Sequence, residues 1–221
     1  METPAAGDIG LVIFDCDGVL VDSERLAVRT EAEILSGLGW QLSESEIIER
    51  FVGRSARYMQ GEIERHLGRT VDWNNEFEVR YREVFERELF AVDGVTDALD
   101  RIDLPICVAS SGSHAKIRFS LGLVGILDRF GDRIFSVDDV ERGKPAPDIF
   151  LYAADQMGFE PSRCAVVEDS VSGVTAALAA DMRVFAFAGG VTSESKLSFD
   201  GASVFCHMRE LPGLIFASDA R

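Results

Sequence analysis

Asp15 and Asp17 stand one residue apart, directly after the apolar run Leu11-Val12-Ile13-Phe14 and directly before Gly18. A backbone that turns there can aim both carboxylates at one small volume, and two such charges need a cation or a shared proton. A calcium loop is one metal-binding reading, but it fails on spacing. Such a loop takes Gly at its sixth position and Glu at its twelfth, and counted from Asp15 these are Leu20 and Leu26. A plain surface turn leaves the hydrophobic residues before the pair, and Val19-Leu20-Val21 after it, unexplained. An unalternating apolar run that stops where its charges reach solvent reads instead as a buried parallel strand with chemistry at its tip.

Three more places carry chemistry-bearing residues. Ile106-Cys107-Val108-Ala109-Ser110 ends in a hydroxyl, and the N–H groups of Ser111 and Gly112 precede a helix, where they can donate to an anion. Lys144 sits in Arg142-Gly143-Lys144-Pro145-Ala146-Pro147-Asp148, a loop held by two prolines. Its compact charge on a long stem suits the neutralisation of an anionic oxygen. Val166-Val167-Glu168-Asp169-Ser170 again places acids where an apolar strand stops. Each has a plainer reading, as a helix cap at Ser110 or Asp169-Ser170 and as a solvated surface lysine at Lys144. All but three of the 22 basic residues are arginine, the lysines being Lys116, Lys144 and Lys196, so a lysine here invites a chemical reason.

In order, the Asp-Cys-Asp-Gly-Val-Leu-Val-Asp-Ser-Glu string of 15–24, Ser110, Gly143-Lys144-Pro145-Ala146-Pro147-Asp148 and Glu168-Asp169 resemble the four motifs of the haloacid dehalogenase (HAD) superfamily. The resemblance implies an α/β fold: a Rossmann-like, doubly wound parallel sheet with an inserted all-helical C1 cap. It implies Asp15 as nucleophile, Asp17 as general acid and base, and Ser110 and Lys144 as stabilisers of a phosphoryl group. It also implies Mg2+ held by Asp15, the Asp17 carbonyl and Asp169, with Glu168 touching the metal or only its waters. The expected activity is hydrolysis of a small phosphate monoester, a sugar phosphate or phosphorylated sugar acid, through an aspartyl-phosphate.

The elements that must position these residues follow from periodicity. Residues 22–92 are charged and helix-periodic, with helices expected at 24–38, 43–51 (opened by the capping pair Ser43/Glu46), 55–67 and 75–90. From Asp93 onward strands at 105–110, 134–137, 164–168, 183–187 and, more weakly, 203–206 alternate with helices near 95–102, 113–122, 147–157, 171–180 and 208–217. Such alternation makes a parallel sheet covered on both faces, with ligands beyond the carboxyl ends of its strands. Residues 1–21 and 93–221 are therefore expected to form the core, and 22–92 the cap.

Composition narrows the partners. A net charge of −16 opposes nucleic acid and anionic membranes, and 47% hydrophobic residues are ample for a core. No basic-then-apolar leader or run of 18 apolar residues appears. The four cysteines form no C-x-x-C pair and read as buried thiols. The expected protein is a cytoplasmic monomer acting on a small phosphorylated metabolite.

Other chemistries of the superfamily separate on single residues. Dehalogenases lack the second aspartate, which is present as Asp17, and phosphonoacetaldehyde hydrolases use a cap lysine, which 22–92 lacks. A β-phosphoglucomutase-type isomerase is the runner-up, but that enzyme's cap histidine falls on Ala27 and its cap arginine on Ala56. A non-catalytic binding protein would be expected to have lost Asp15, Asp17 or Lys144. The cap holds ten arginines against 15 acids, so most are structural, and Arg54 and Arg57, beside Gly53, are the expected substrate-reading pair.

Overall fold

The computed structural model describes residues 9–52 and 56–217. Six parallel strands form one sheet: β1 (Leu11–Phe14), β2 (Ile106–Ser110), β3 (Ile134–Ser136), β4 (Cys164–Glu168), β5 (Arg183–Phe187) and β6 (Ala202–Phe205). Their spatial order is β3-β2-β1-β4-β5-β6. The chain thus winds outward from β1 on one side and then crosses over to wind outward on the other. The reversal falls between β1 and β4, where doubly wound sheets leave a crevice at the strands' carboxyl ends.

The apolar strand runs are unalternating because both faces of the sheet are covered. Val12 and Phe14 of β1, Val108 of β2 and Phe185 of β5 enter one hydrophobic core. Leu11, Ile13, Cys107 and Val184 enter the other, on the opposite face. A period of two along each strand therefore serves two cores at once.

Ten α-helices are present among the described residues. Five lie between β1 and β2, and the first four form one group: α1 (Ser23–Gly37), α2 (Glu44–Phe51), α3 (Ala56–Leu67) and α4 (Val79–Glu88), the last entered through a π-turn over Asn74–Glu78. They enclose a hydrophobic cluster of their own, including Leu35, Ile47, Ile63 and Phe77. Trp73, Phe77, Tyr81 and Phe85 recur every four residues as a ladder of ring contacts. Helix α2 opens on the expected capping box, Ser43 and Glu46 each satisfying the other's backbone N–H. The remaining helices are α5 (Val95–Asp100), α6 (His114–Leu123), α7 (Asp148–Met157), α8 (Val171–Ala179), α9 (Glu194–Leu197) and α10 (Leu211–Ala217). Several places differ from expectation: the helix expected at 75–90 begins as the π-turn, residue 137 opens a 3-10 turn after β3, 208–210 is a 3-10 turn ahead of α10, and α9 lies in a stretch read as loop.

The chain leaves and re-enters the sheet layer at adjacent points. Asp22 N–H donates to Phe90 O at 2.9 Å and Val92 N–H to Leu20 O at 3.1 Å, so the two crossings are stapled together. All four cysteines are free thiols; Cys16, Cys107 and Cys164 are buried, while Cys206, against expectation, is exposed on the loop after edge strand β6. No helix is long and apolar enough to cross a membrane among the described residues.

Candidate active site

Strand register brings the chemistry-bearing residues together. Asp15 follows the last residue of β1, and Ser110 and Glu168 are the last residues of the two strands that flank it. Asp15 N–H still donates to Val167 O at 3.0 Å, which fixes the backbone under its carboxylate. Lys144, 4% exposed at its side chain, reaches in from the loop before α7. Its Nζ donates to Asp15 Oδ1 and Glu168 Oε1, both at 2.7 Å, and to Ala109 O at 3.2 Å. Three acceptors match the three protons of an ammonium, so the lysine is satisfied although buried. Burial pushes the Asp15 carboxyl up to about 7, Lys144 pulling it down and Glu168 pushing it further up.

Asp17 has a different environment. Ser23 Oγ donates to its Oδ1 at 2.6 Å and Lys116 Nζ to its Oδ2 at 2.7 Å. Burial would raise this carboxyl, but Lys116 and the Ser23 hydroxyl outweigh it and hold the group below the usual range. The two neighbouring carboxylates are thus held separately, Asp15 by Lys144 and Asp17 by Lys116 and Ser23.

The second acidic pair divides its work. Both oxygens of Glu168 are taken, Oε1 by Lys144 and Oε2 by the N–H and hydroxyl of Ser170. Glu168 therefore stands as the partner of Lys144 and Ser170, with no carboxylate oxygen left unpartnered. Ser170 alone caps α8, accepting from Gly173 N–H at 3.0 Å. Asp169 is left with a buried Oδ2 that has no hydrogen-bond partner, and Glu24 Oε2 is in the same condition. Burial, with the surrounding carboxylates, raises Asp169 well above its ordinary value and Glu24 to about 8.

These orphaned oxygens bear on a metal. Among the described residues Asp15, Asp17, Glu24, Glu168 and Asp169 cluster with Lys116 and Lys144, an excess of negative charge that suits a hard cation with oxygen ligands. Gly18, at φ +79°, leaves the space: a Cβ there would lie 2.0 Å from Asp169 Oδ2. No three His, Cys, Asp or Glu side chains among the described residues stand at metal-binding spacing. A site made of the Asp15 and Asp169 carboxylates and the Asp17 carbonyl has two such side chains, and the orphaned Asp169 Oδ2 with the space left at Gly18 is what fits it to a cation.

Above this centre lies a cleft of about 1270 Å³, floored by Asp15, Asp17, Ser110, Lys144 and Asp169 and roofed by α1, α3 and α4. Ser110 Oγ accepts from Gly112 N–H at 3.1 Å, which leaves the hydroxyl proton to donate. Ser111 and Gly112 line the cleft. Arg57 does not: it is exposed and outside the lining, because Ala56, Met59 and Ile63 take the inward positions of α3 and Arg57 follows Ala56 by one residue. Arg54 lies outside the described residues. Ala27 and Ala56 both line the cleft.

Sequence reasoning missed Lys116, Ser23, Glu24 and Arg82, all lining the cleft. Lys116 carried a usable signal as one of three lysines in an arginine-rich chain, and Ser23-Glu24 closed the first motif. Arg82 carried none, being one of ten arginines in its segment.

A doubly wound α/β sheet, four helices inserted after its first strand and a strand-end Asp pair answered by a buried lysine together define the architecture and centre of a hydrolase class. The chain belongs to the haloacid dehalogenase-like hydrolase family, which it matches over residues 9–181. It is 33% identical to the 6-phosphogluconate phosphatase of Escherichia coli K12 over 93% of this chain and 94% of that protein. It is 30% identical to a fructose-1-phosphate phosphatase of the same species, covering 77% of this chain and 92% of that one. Among solved structures, a haloacid dehalogenase-like protein of Agrobacterium tumefaciens has a TM-score of 0.86 at 37% identity, with 96% of this chain and 99% of that one covered. A HAD family hydrolase of Deinococcus radiodurans with bound phosphate and sodium gives 0.83 at 27%, with 96% of each covered. The chain is a hydrolase, and it has named phosphatases among its relatives.

Proposed function

We propose that the protein is a Mg2+-dependent phosphatase of a small phosphorylated sugar or sugar acid, working through an aspartyl-phosphate, with residues 22–92 as its cap. The observation that carries this reading is the pair of separately held carboxylates at the floor of one cleft, Asp15 on Lys144 and Asp17 on Lys116. Lys144 holds Asp15 through Oδ1, which orients the carboxylate for attack on phosphorus. As the new O–P bond forms, the ester O–P bond breaks and Asp17 gives its proton to the departing alkoxide. Water then attacks the phosphorus, returns a proton to Asp17 and releases inorganic phosphate, restoring the Asp15 carboxylate.

Asp17 rests as a carboxylate, the form required for the second step. For the first it must carry a proton, and the incoming phosphoryl dianion supplies the reason: it competes with Asp17 for Lys116, and releasing that contact raises the Asp17 pKa. Lys144, Ser110 and the N–H groups at Ser111 and Gly112 are the donors for the equatorial oxygens. Bound at Asp15, the Asp17 carbonyl and Asp169, the metal would neutralise charge on the transferring group.

Ala27 and Ala56 favour water over a second sugar hydroxyl as the acceptor, because neither can act as a base or hold a distal phosphate. The test is phosphate release from a panel of phosphorylated sugars, sugar acids and polyols, with magnesium and with EDTA, plus β-glucose 1-phosphate with its bisphosphate. Magnesium-dependent release that disappears in a folded Asp15→Asn variant supports the reading. Formation of glucose 6-phosphate with little free phosphate replaces it with a mutase. Folded protein that turns over nothing leaves a binding role.

A further inference from the structure

We infer that Arg82 reads the far end of the substrate, and that the preferred substrate carries a second anionic group, a carboxylate or a second phosphate, on its hydroxylated chain. The inference rests on the phosphatase reading of the cleft and adds what the leaving group must look like.

Six of the nine described cap arginines are committed to ion pairs, and Arg57 is exposed outside the cleft. Arg29, Arg65, Arg69, Arg80 and Arg87 each pair with a glutamate, and Arg25 pairs with Asp22. Arg50 rests 5.9 Å from the Trp40 ring, outside the cleft lining. Among the described residues Arg82 is the one cap arginine that lines the cleft, and no described carboxylate lies within ion-pair distance of it. Glu78, one turn back on the helix, accepts at Oε1 from Trp73 Nε1 at 2.9 Å and makes no ion pair with Arg82.

What holds Arg82 is an aromatic face. Its guanidinium carbon lies 5.5 Å from the centroid of Phe119, on α6, three residues after Lys116. Stacking of this kind orders the planar group while leaving its edge free, and that edge is the one that binds carboxylate or phosphate bidentately. Glu31 and Glu78 line the same cleft but already accept from Tyr81 and Trp73, and Arg82 is the guanidinium there that can receive an anion. Phe51, Met59 and Phe85 line the same cleft and supply apolar wall for a carbon chain, and Asn74 offers an amide to its hydroxyls. The phosphoryl end already has Lys144 and Lys116, so Arg82 answers a second charge.

The test is a matched series with one phosphorylated six-carbon chain: 6-phosphogluconate, glucitol 6-phosphate and glucitol 1,6-bisphosphate, which differ only in the far group. Preference for one or both charged members over glucitol 6-phosphate by about 10- to 100-fold in kcat/KM is expected, and whichever is preferred identifies the anion. Arg82→Gln should remove that preference, and Arg82→Lys, which keeps the charge but loses the fork, should restore part of it. Calorimetric binding to an Asp15→Asn variant, with and without Arg82→Gln, should show the same order without turnover. Equal hydrolysis of all three, or a preference untouched by Arg82→Gln, overturns the inference and leaves the phosphatase reading standing. Hydrolysis of no phosphate ester overturns both.

Discussion

Lys144 shows how much one residue carries. It neutralises Asp15, engages Glu168 and rests 4.8 Å from the Phe150 ring centroid, almost without solvent. Removing one partner from a buried ion pair strands the other, at a cost of about 3–5 kcal/mol. Lys144→Met should cost that much near neutral pH and lower kcat by roughly 100-fold or more through loss of phosphoryl stabilisation. The stability loss depends on pH in a known direction. The folded-state pKa of Asp15, about 7, lies above its ordinary 3.8, and without Lys144 it rises further. A raised carboxyl contributes stability that is present while it is protonated and lost as pH rises through the folded value. Urea denaturation should therefore show a small deficit for Lys144→Met at about pH 5 and a large one at about pH 8. A deficit independent of pH would mean that Asp15 is not the stranded charge.

At the scale of elements, α8 bears on the site through its first turn. Gly173 packs against Glu168 so closely that a Cβ would lie 1.7 Å from Glu168 Oε1. Alanine ordinarily improves a helix over glycine by about 1 kcal/mol. Here overpacking of about 1–3 kcal/mol should win, so Gly173→Ala should lower stability and, by displacing Glu168 from Lys144, lower activity. Gly61 is the control: it lies within α3 with nothing within 4 Å of its missing Cβ, and Gly61→Ala should stabilise by about 0.5–1 kcal/mol. If both substitutions stabilise, the contact with Glu168 is not tight. The elements themselves were largely legible, because strand runs and helix periods are local. The capping box of α2 and the strand at 164–168 fall where the pattern put them. The π-turn over Asn74–Glu78 was not legible, since its looser bond pattern leaves no periodicity distinct from the α4 that follows.

At the scale of the molecule, the helical insert joins the sheet layer through the two stapled crossings near 20–23 and 90–92. Closure of the insert over the cleft would need these crossings to act as hinges. With magnesium and beryllium fluoride bound as a phosphoryl mimic, amide exchange should slow across α1, α3 and α4 and stay unchanged in β4 and β5; no change in the helices would count against a moving cap. The sequence by itself determined the fold class and brought Asp15, Ser110, Lys144 and Asp169 to notice, because each sits in a short string whose residues also build the strand end or loop that carries it. Only the tertiary structure decided which other side chains share the cleft. Lys116 meets Asp17 across 99 residues of chain, Arg82 faces inward from α4, and Arg57 is turned away on α3. The physical reason is that a helix face becomes part of a site only once packing has fixed the helix's rotation and neighbours, and that packing is set by contacts far apart in sequence.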